Sequence, residues 1–128
     1  MLKAITHGIN LLRHSLRDVG VSAKRSNKWP TVEKHFLEAN PTCAVCGGTK
    51  RLNVHHIRPF HIFPELELDT SNLITMCMGE KECHLKISHG SNFKAYCPKI
   101  RQYAEEIKNK KKTFEEICEI AKNERLFS

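Results

Sequence analysis

The chain has 128 residues, 40% of them hydrophobic, and a formal charge of +7. That length is most economically one domain with a modest core, and no run approaches the roughly 18 consecutive apolar residues that a membrane span needs. The excess of lysine and arginine suits a polyanionic partner such as DNA or RNA as well as it suits a solvated surface.

Leu2, Ile5, Ile9, Leu12 and Leu16 recur at helical spacing, so a helix is expected over 2–17, followed by a polar, basic linker to residue 27. Scattered charges and no small-residue cleavage site argue against a signal peptide in 1–20. A cytosolic location follows, where six cysteines suggest metal ligands more than disulfides. A helix is predicted over 29–39: Pro30 suits its first turn, Val32, Phe36 and Leu37 share a face, and Asn40-Pro41 stops it. Residues 43–49 read as a tight knuckle, since Gly47-Gly48 permits positive φ. Leu52 and Val54 alternate with polar neighbours as in a short strand that Pro59 ends, and 73–76 reads as a second strand. Between them, 60–68 is expected to be a loop or irregular strand carrying Glu65 and Glu67. A short helix over 83–87 would end at Gly90. Helical spacing then runs through 100–126, broken by Lys110, Lys111 and Lys112. The fold class is therefore α+β: strand, strand and helix around metal ligands, with helices on either side. Three segments are expected: a basic N-terminal helix and linker at 1–28, a core at 29–97, and a helical extension of the same domain at 98–128.

Cys43 and Cys46 have the two-residue gap usual in zinc sites, and Cys77 and Cys83, five residues apart, supply a looser second pair. Four thiolates from two segments make a tetrahedral structural zinc site, while Cys97 and Cys118 stand apart as ordinary thiols. His55 and His56 are adjacent, so on a regular strand they point to opposite faces. They serve one site only if the strand bends or ends there. One imidazole would then bind a metal while the other, neutral near pH 7, acts as a general base. His84, at the start of the short helix, can face back toward the strands. A metal held by His55 and His84 keeps open positions for water and a phosphate oxygen, as a catalytic ion does.

The run from Leu52 through His55-His56 to Phe60, then Pro64 through Asn72 to Cys77, then Cys83-His84 to His89, resembles the HNH endonuclease family over about residues 29–97. The first cysteine cluster is similar to the versions found in bacteriophages and mobile elements. The resemblance implies a small ββα-metal, treble-clef-like core with a four-cysteine zinc site. It makes His56 the base that activates water. It puts His55 in the first metal-ligand position, often an Asp in the family, and His84 in the ligand position of the helix. Asn72 becomes the central asparagine that pins the loop between the strands and so orients His56. His89 is a further metal candidate, although the family's extra histidine lies four residues along the helix, where this chain has Ser88. The implied activity is metal-dependent hydrolysis of DNA to 3′-hydroxyl and 5′-phosphate ends. A divalent ion would stabilise the phosphate and the leaving 3′ oxygen, and with two imidazole ligands Mn²⁺, Ni²⁺ or Co²⁺ should serve as readily as Mg²⁺. Arg58, Lys24, Arg25 and Lys28 would follow phosphates on double-stranded DNA with little sequence preference.

The expected setting is the cytoplasm of a bacterial host, with the gene phage-encoded, no membrane, and phage packaging proteins as partners. The protein would act as a monomer or a homodimer. Two other classes stay open. A non-catalytic zinc module that binds nucleic acid or protein would share the clamp and basic flanks, but it has no need to keep His56, Asn72 and His84 together. A structural partner in phage assembly would use the tail helix, although Ile107, Phe114, Ile117 and Ala121 equally suit packing on the domain's own core.

Overall fold

The computed structural model describes residues 24–127, so the helix expected over 2–17 and the first part of its linker lie outside the described residues. Helix α1 (Trp29–Ala39) begins with Pro30 in its first turn, where a missing N–H costs nothing. It ends where Asn40 donates its backbone N–H and its side-chain amide to the Phe36 carbonyl, at 2.8 and 3.0 Å. The knuckle follows at once. Cys43 N–H donates to the Gly48 carbonyl (2.8 Å), Gly47 N–H donates to the Cys43 carbonyl (2.9 Å), and Gly47 takes φ +73°.

Strands β1 (Leu52–His56) and β2 (Leu73–Cys77) pair antiparallel, Leu52 opposite Cys77 and His56 opposite Leu73. All five residues of β2 are buried. The knuckle holds β2 through Ala44 N–H to the Thr75 carbonyl at 2.9 Å, and Thr75 Oγ1 donates to the Asn40 carbonyl at 2.8 Å. The connection between the strands is no irregular strand. It folds into two single-turn 3₁₀ helices, Pro64–Leu66 and Thr70–Asn72, because Pro64 favours a first turn and the Asp69 carboxylate accepts the Ser71 N–H. Ile62, Phe63 and Tyr96 form a small apolar cluster that involves this connection.

The helix after Cys83 is a π turn, His84–Ser88, packed on both strands. Beyond it come β3 (Ala95–Tyr96), α2 (Ile100–Lys108), α3 (Phe114–Glu124) and β4 (Leu126–Phe127), which pairs antiparallel with β3. A pair of two-residue strands has no periodicity, and the sequence reading missed it. The lysine run closes α2: Lys110 takes φ +58°, and Lys112 pairs with Glu106 at 2.9 Å. A complete capping box between Thr113 and Glu116 starts α3. One apolar core joins Cys43, Met76, Cys77, Cys83 and Ile87 to Ile100, Tyr103, Ile117 and Ala121. Cys97 belongs to it, and burial pushes its thiol up to about 11.

Gly90 ends the π turn at φ +56°, and a Cβ there would lie 2.8 Å from the Ala121 carbonyl of α3. Gly90→Ala is expected to cost about 2–3 kcal/mol, from left-handed strain together with the overlap. A fall in thermal midpoint at unchanged zinc content checks this.

Candidate metal centres and catalytic cleft

The Sγ atoms of Cys43, Cys46, Cys77 and Cys83 lie within 4.8 Å of one another, with Cys46 and Cys77 3.5 Å apart. Thiolates around a tetrahedral zinc at about 2.3 Å stand about 3.8 Å from each other. A disulfide needs about 2.05 Å, so the sulfurs are spaced as ligands. Gly48 N–H donates to Cys46 Sγ at 3.4 Å, the kind of contact that supports a thiolate. The Cys83 contact holds the Cys43 thiol down to about 4, and that contact with burial pushes Cys83 up. Four sulfurs so placed cannot all be thiolates without a cation among them, and the donor set fits zinc.

A second cluster joins His55, His84 and His89, whose ring nitrogens also lie within 4.8 Å of one another. His55 Nδ1 faces His84 Nε2 at 3.1 Å, and His89 Nε2 faces His84 Nε2 at 3.3 Å. Imidazole ligands of one tetrahedral ion at 2.0–2.1 Å would be separated by about 3.3 Å. His89 Nδ1–H donates to the Ala95 carbonyl at 2.6 Å, which fixes its tautomer and leaves Nε2 as a lone pair. The remaining nitrogens, His55 Nε2 and His84 Nδ1, are buried with no hydrogen-bond partner, so the polar contacts of these two rings are with their fellow imidazoles. Burial lowers all three histidines: His84 to about 4, and His55, which the neighbouring imidazoles lower too, well below its ordinary value. Neutral rings with converging lone pairs are what a borderline divalent ion requires.

The π turn explains His89. An α turn would align His84 with Ser88, four residues on, whereas a π turn closes over five and aligns His84 with His89. Ser88 is instead fully buried.

His56 closes β1 from the other side. Its Nε2–H donates to the Glu67 carbonyl at 2.9 Å, and its ring stacks at 4.4 Å on Trp29 of α1. Burial above all, and then the charge of Arg25, hold His56 below its ordinary value. The Glu67 carboxylate is 5% exposed, accepts the Ser26 N–H at 3.0 Å and pairs with Arg25 at 2.8 Å. Arg25 in turn lies over the rings of Trp29 and Phe60. Asn72 is buried and spans the connection. Its Oδ1 accepts the Arg58 N–H at 2.9 Å, and its Nδ2 donates to the carbonyls of Arg58 and Leu66 at 3.1 and 3.4 Å.

His55, His56, His84 and His89 line one cleft of about 390 Å³ with Arg25 and Phe60. Two larger hollows, of about 520 and 490 Å³, contain no histidine. Arg58 lines the second of these beside Ser71 and Arg101, not the histidine cleft. Lys24 and Lys28 are exposed on the segment that carries Arg25. The sequence reading passed over Glu67, which looked like one acid in a polar run. Its partner is 41 residues away in sequence, and its main-chain contact leaves no trace in side-chain pattern.

No helix among the described residues is long and apolar enough to cross a membrane. Residues 43–90 match the family model described as HNH endonuclease. The match covers the knuckle, both strands and the π turn, begins after α1 and ends at Gly90. No curated protein and no solved structure matches the chain.

Proposed function

From the match of residues 43–90 to the HNH endonuclease model we propose that the protein is a metal-dependent DNA endonuclease in which His56 activates the attacking water. The family's members are generally nucleases, which supports phosphodiester hydrolysis as the reaction class. The observation that carries the finer reading is the tautomer of His56. With Nε2–H committed to the Glu67 carbonyl, Nδ1 holds the lone pair, and the ring lines the same cleft as three ion-facing imidazoles.

Nδ1 of His56 accepts a proton from water as the water oxygen attacks phosphorus, the bond to the 3′ oxygen breaks, and that oxygen takes a proton from solvent, giving 3′-hydroxyl and 5′-phosphate ends. His55, His84 and His89 would hold the ion. When bound, it supplies Lewis-acid stabilisation of charge on the phosphate and the departing oxygen. Asn72 keeps the connection in one shape, so the Glu67 carbonyl stays in place for His56. Trp29 sets the plane of that imidazole. Arg25, fixed over two rings, places a guanidinium at the cleft for a phosphate oxygen. Lys24 and Lys28 extend that charge along the backbone of double-stranded DNA, a contact that carries little sequence preference. Residues 98–128 belong to the same domain on this reading, since Ile100, Ile117 and Ala121 share a core with the clamp cysteines.

Plasmid cleavage by purified protein, with Mg²⁺, Mn²⁺, Ni²⁺ and Co²⁺ compared, tests the proposal. Metal-dependent nicking or linearisation is expected, and DNA binding without cleavage in any metal would point to a non-catalytic zinc module. Three imidazoles favour Mn²⁺, Ni²⁺ and Co²⁺ over Mg²⁺. His89→Ala is expected to weaken Mn²⁺ or Ni²⁺ binding by at least the 10–100-fold typical of losing an outer-shell partner. Calorimetric titration reads this, and one equivalent of zinc should remain in the cysteine clamp.

A further inference from the structure

The ring of Phe93 lies 5.0 Å from His89 and 5.8 Å from His84, centroid to centroid, yet the residue is 59% exposed. Scattered exposed apolar side chains are ordinary on a protein surface. This one touches two of the three imidazoles that face one another.

The turn that carries it is also tied down. Phe93 stands on a turn in which Ala95 N–H donates to the Asn92 carbonyl at 2.8 Å and Lys94 N–H donates to Asn92 Oδ1 at 2.9 Å. Asn92 N–H donates back to the His89 carbonyl at 3.1 Å, and the Ala95 carbonyl receives His89 Nδ1–H. Both ends of the turn are thus tied to a residue facing the ion site. The backbone that carries the ring is set beside that site, and the ring's contacts with two imidazoles meet part of the conformational cost of placing it before anything binds.

We propose that Phe93 stacks on a nucleobase next to the scissile phosphate, so that the cleaved strand is engaged with that base lifted from its neighbour. The proposal rests on the nuclease reading above and adds a substrate contact outside the matched residues. Aromatic stacking accepts any base, because each offers a π-face, and it favours strands whose bases are already free to separate. Single-stranded or gapped DNA should therefore be cut faster than a fully stacked duplex, without a sequence code.

The test compares wild type, Phe93→Ala and Phe93→Trp on single-stranded, gapped and duplex oligonucleotides in Mn²⁺. Mn²⁺ affinity is measured by calorimetry on each protein. Fluorescence of a single strand carrying 2-aminopurine is followed in the His56→Ala background, where the strand should stay intact. The expected result is a rise of about 10-fold in KM for Phe93→Ala on single-stranded DNA, unchanged Mn²⁺ affinity, recovery in Phe93→Trp, and a 2-aminopurine signal that needs an aromatic at 93. Unchanged KM in Phe93→Ala overturns the proposal. So does a loss of Mn²⁺ affinity that accounts for the loss of cleavage, since Phe93 would then only cover the histidines. Absence of cleavage by wild type would remove the nuclease reading; the fluorescence arm then decides stacking alone, supporting it if the signal depends on residue 93 and overturning it if not.

Discussion

His56→Ala is expected to lower the rate of DNA cleavage by about 10²–10⁴-fold, the usual contribution of a positioned general base. DNA affinity, zinc content and the melting transition should stay close to wild type. The stability side of this expectation comes from how His56 is held. The ring gives one hydrogen bond to a main-chain carbonyl and one stacking contact to Trp29, and it belongs to neither apolar cluster. The ring itself lines the open cleft, so truncating it lets water into the space beside the Glu67 carbonyl. The activity side comes from how the three neighbouring imidazoles are engaged. His55, His84 and His89 turn ring nitrogens toward one another, and His89 has its other nitrogen committed to the Ala95 carbonyl. Gel quantification of plasmid cleavage, beside calorimetric DNA binding, separates the two sides. Cleavage within a few-fold of wild type would remove His56 as the base.

The same residues show how far the sequence could be read. Helix α1 was legible to its ends because Pro30 and Asn40-Pro41 act through local backbone sterics. The two strands were legible because alternation and the bracketing cysteines fix their extent to within a residue. The α+β class followed from that order. The third imidazole was harder to read. Its alignment depends on a turn closing over five residues, and nothing local distinguishes that turn from an α turn; packing of α3 against it and Gly90 at φ +56° belong to tertiary structure. The environment of His56 was hidden for a related reason. Glu67 acts through its carbonyl on one side and its carboxylate on the other, and only the fold brings Arg25 and Ser26 to it. Arg58 illustrates the converse. Two residues from His56 in sequence, it turns into a neighbouring hollow, while Arg25, 31 positions before His56, reaches the cleft.

Cys43→Ala is expected to abolish the cooperative fold, and with it both metal sites. The clamp sulfurs are part of the core itself: Cys43, Cys77 and Cys83 are at most 4% exposed and pack with Met76, Ile87 and Ile117. Domains of this size keep about 5–15 kcal/mol of stability, and structural zinc in finger peptides contributes about 10–16 kcal/mol at pH 7. Losing one of four thiolates therefore removes a stabilisation comparable to the whole. It also leaves three sulfurs, those of Cys77 and Cys83 buried, without the fourth ligand of a shared cation. A broad or absent melting transition by circular dichroism, with zinc lost by mass spectrometry, is the expected result. Full zinc and an unchanged melt in Cys43→Ala would overturn the clamp. The dependence between the two sites should run one way. Cys83 directly precedes His84, so the clamp sets where the π turn begins and hence where His84 and His89 point. The histidines lie downstream of that geometry, so His84→Ala should empty only the second site and keep zinc and fold. If His84→Ala instead unfolded the protein as fully as Cys43→Ala, the histidine cluster would be a second structural clamp and not the open site that hydrolysis requires.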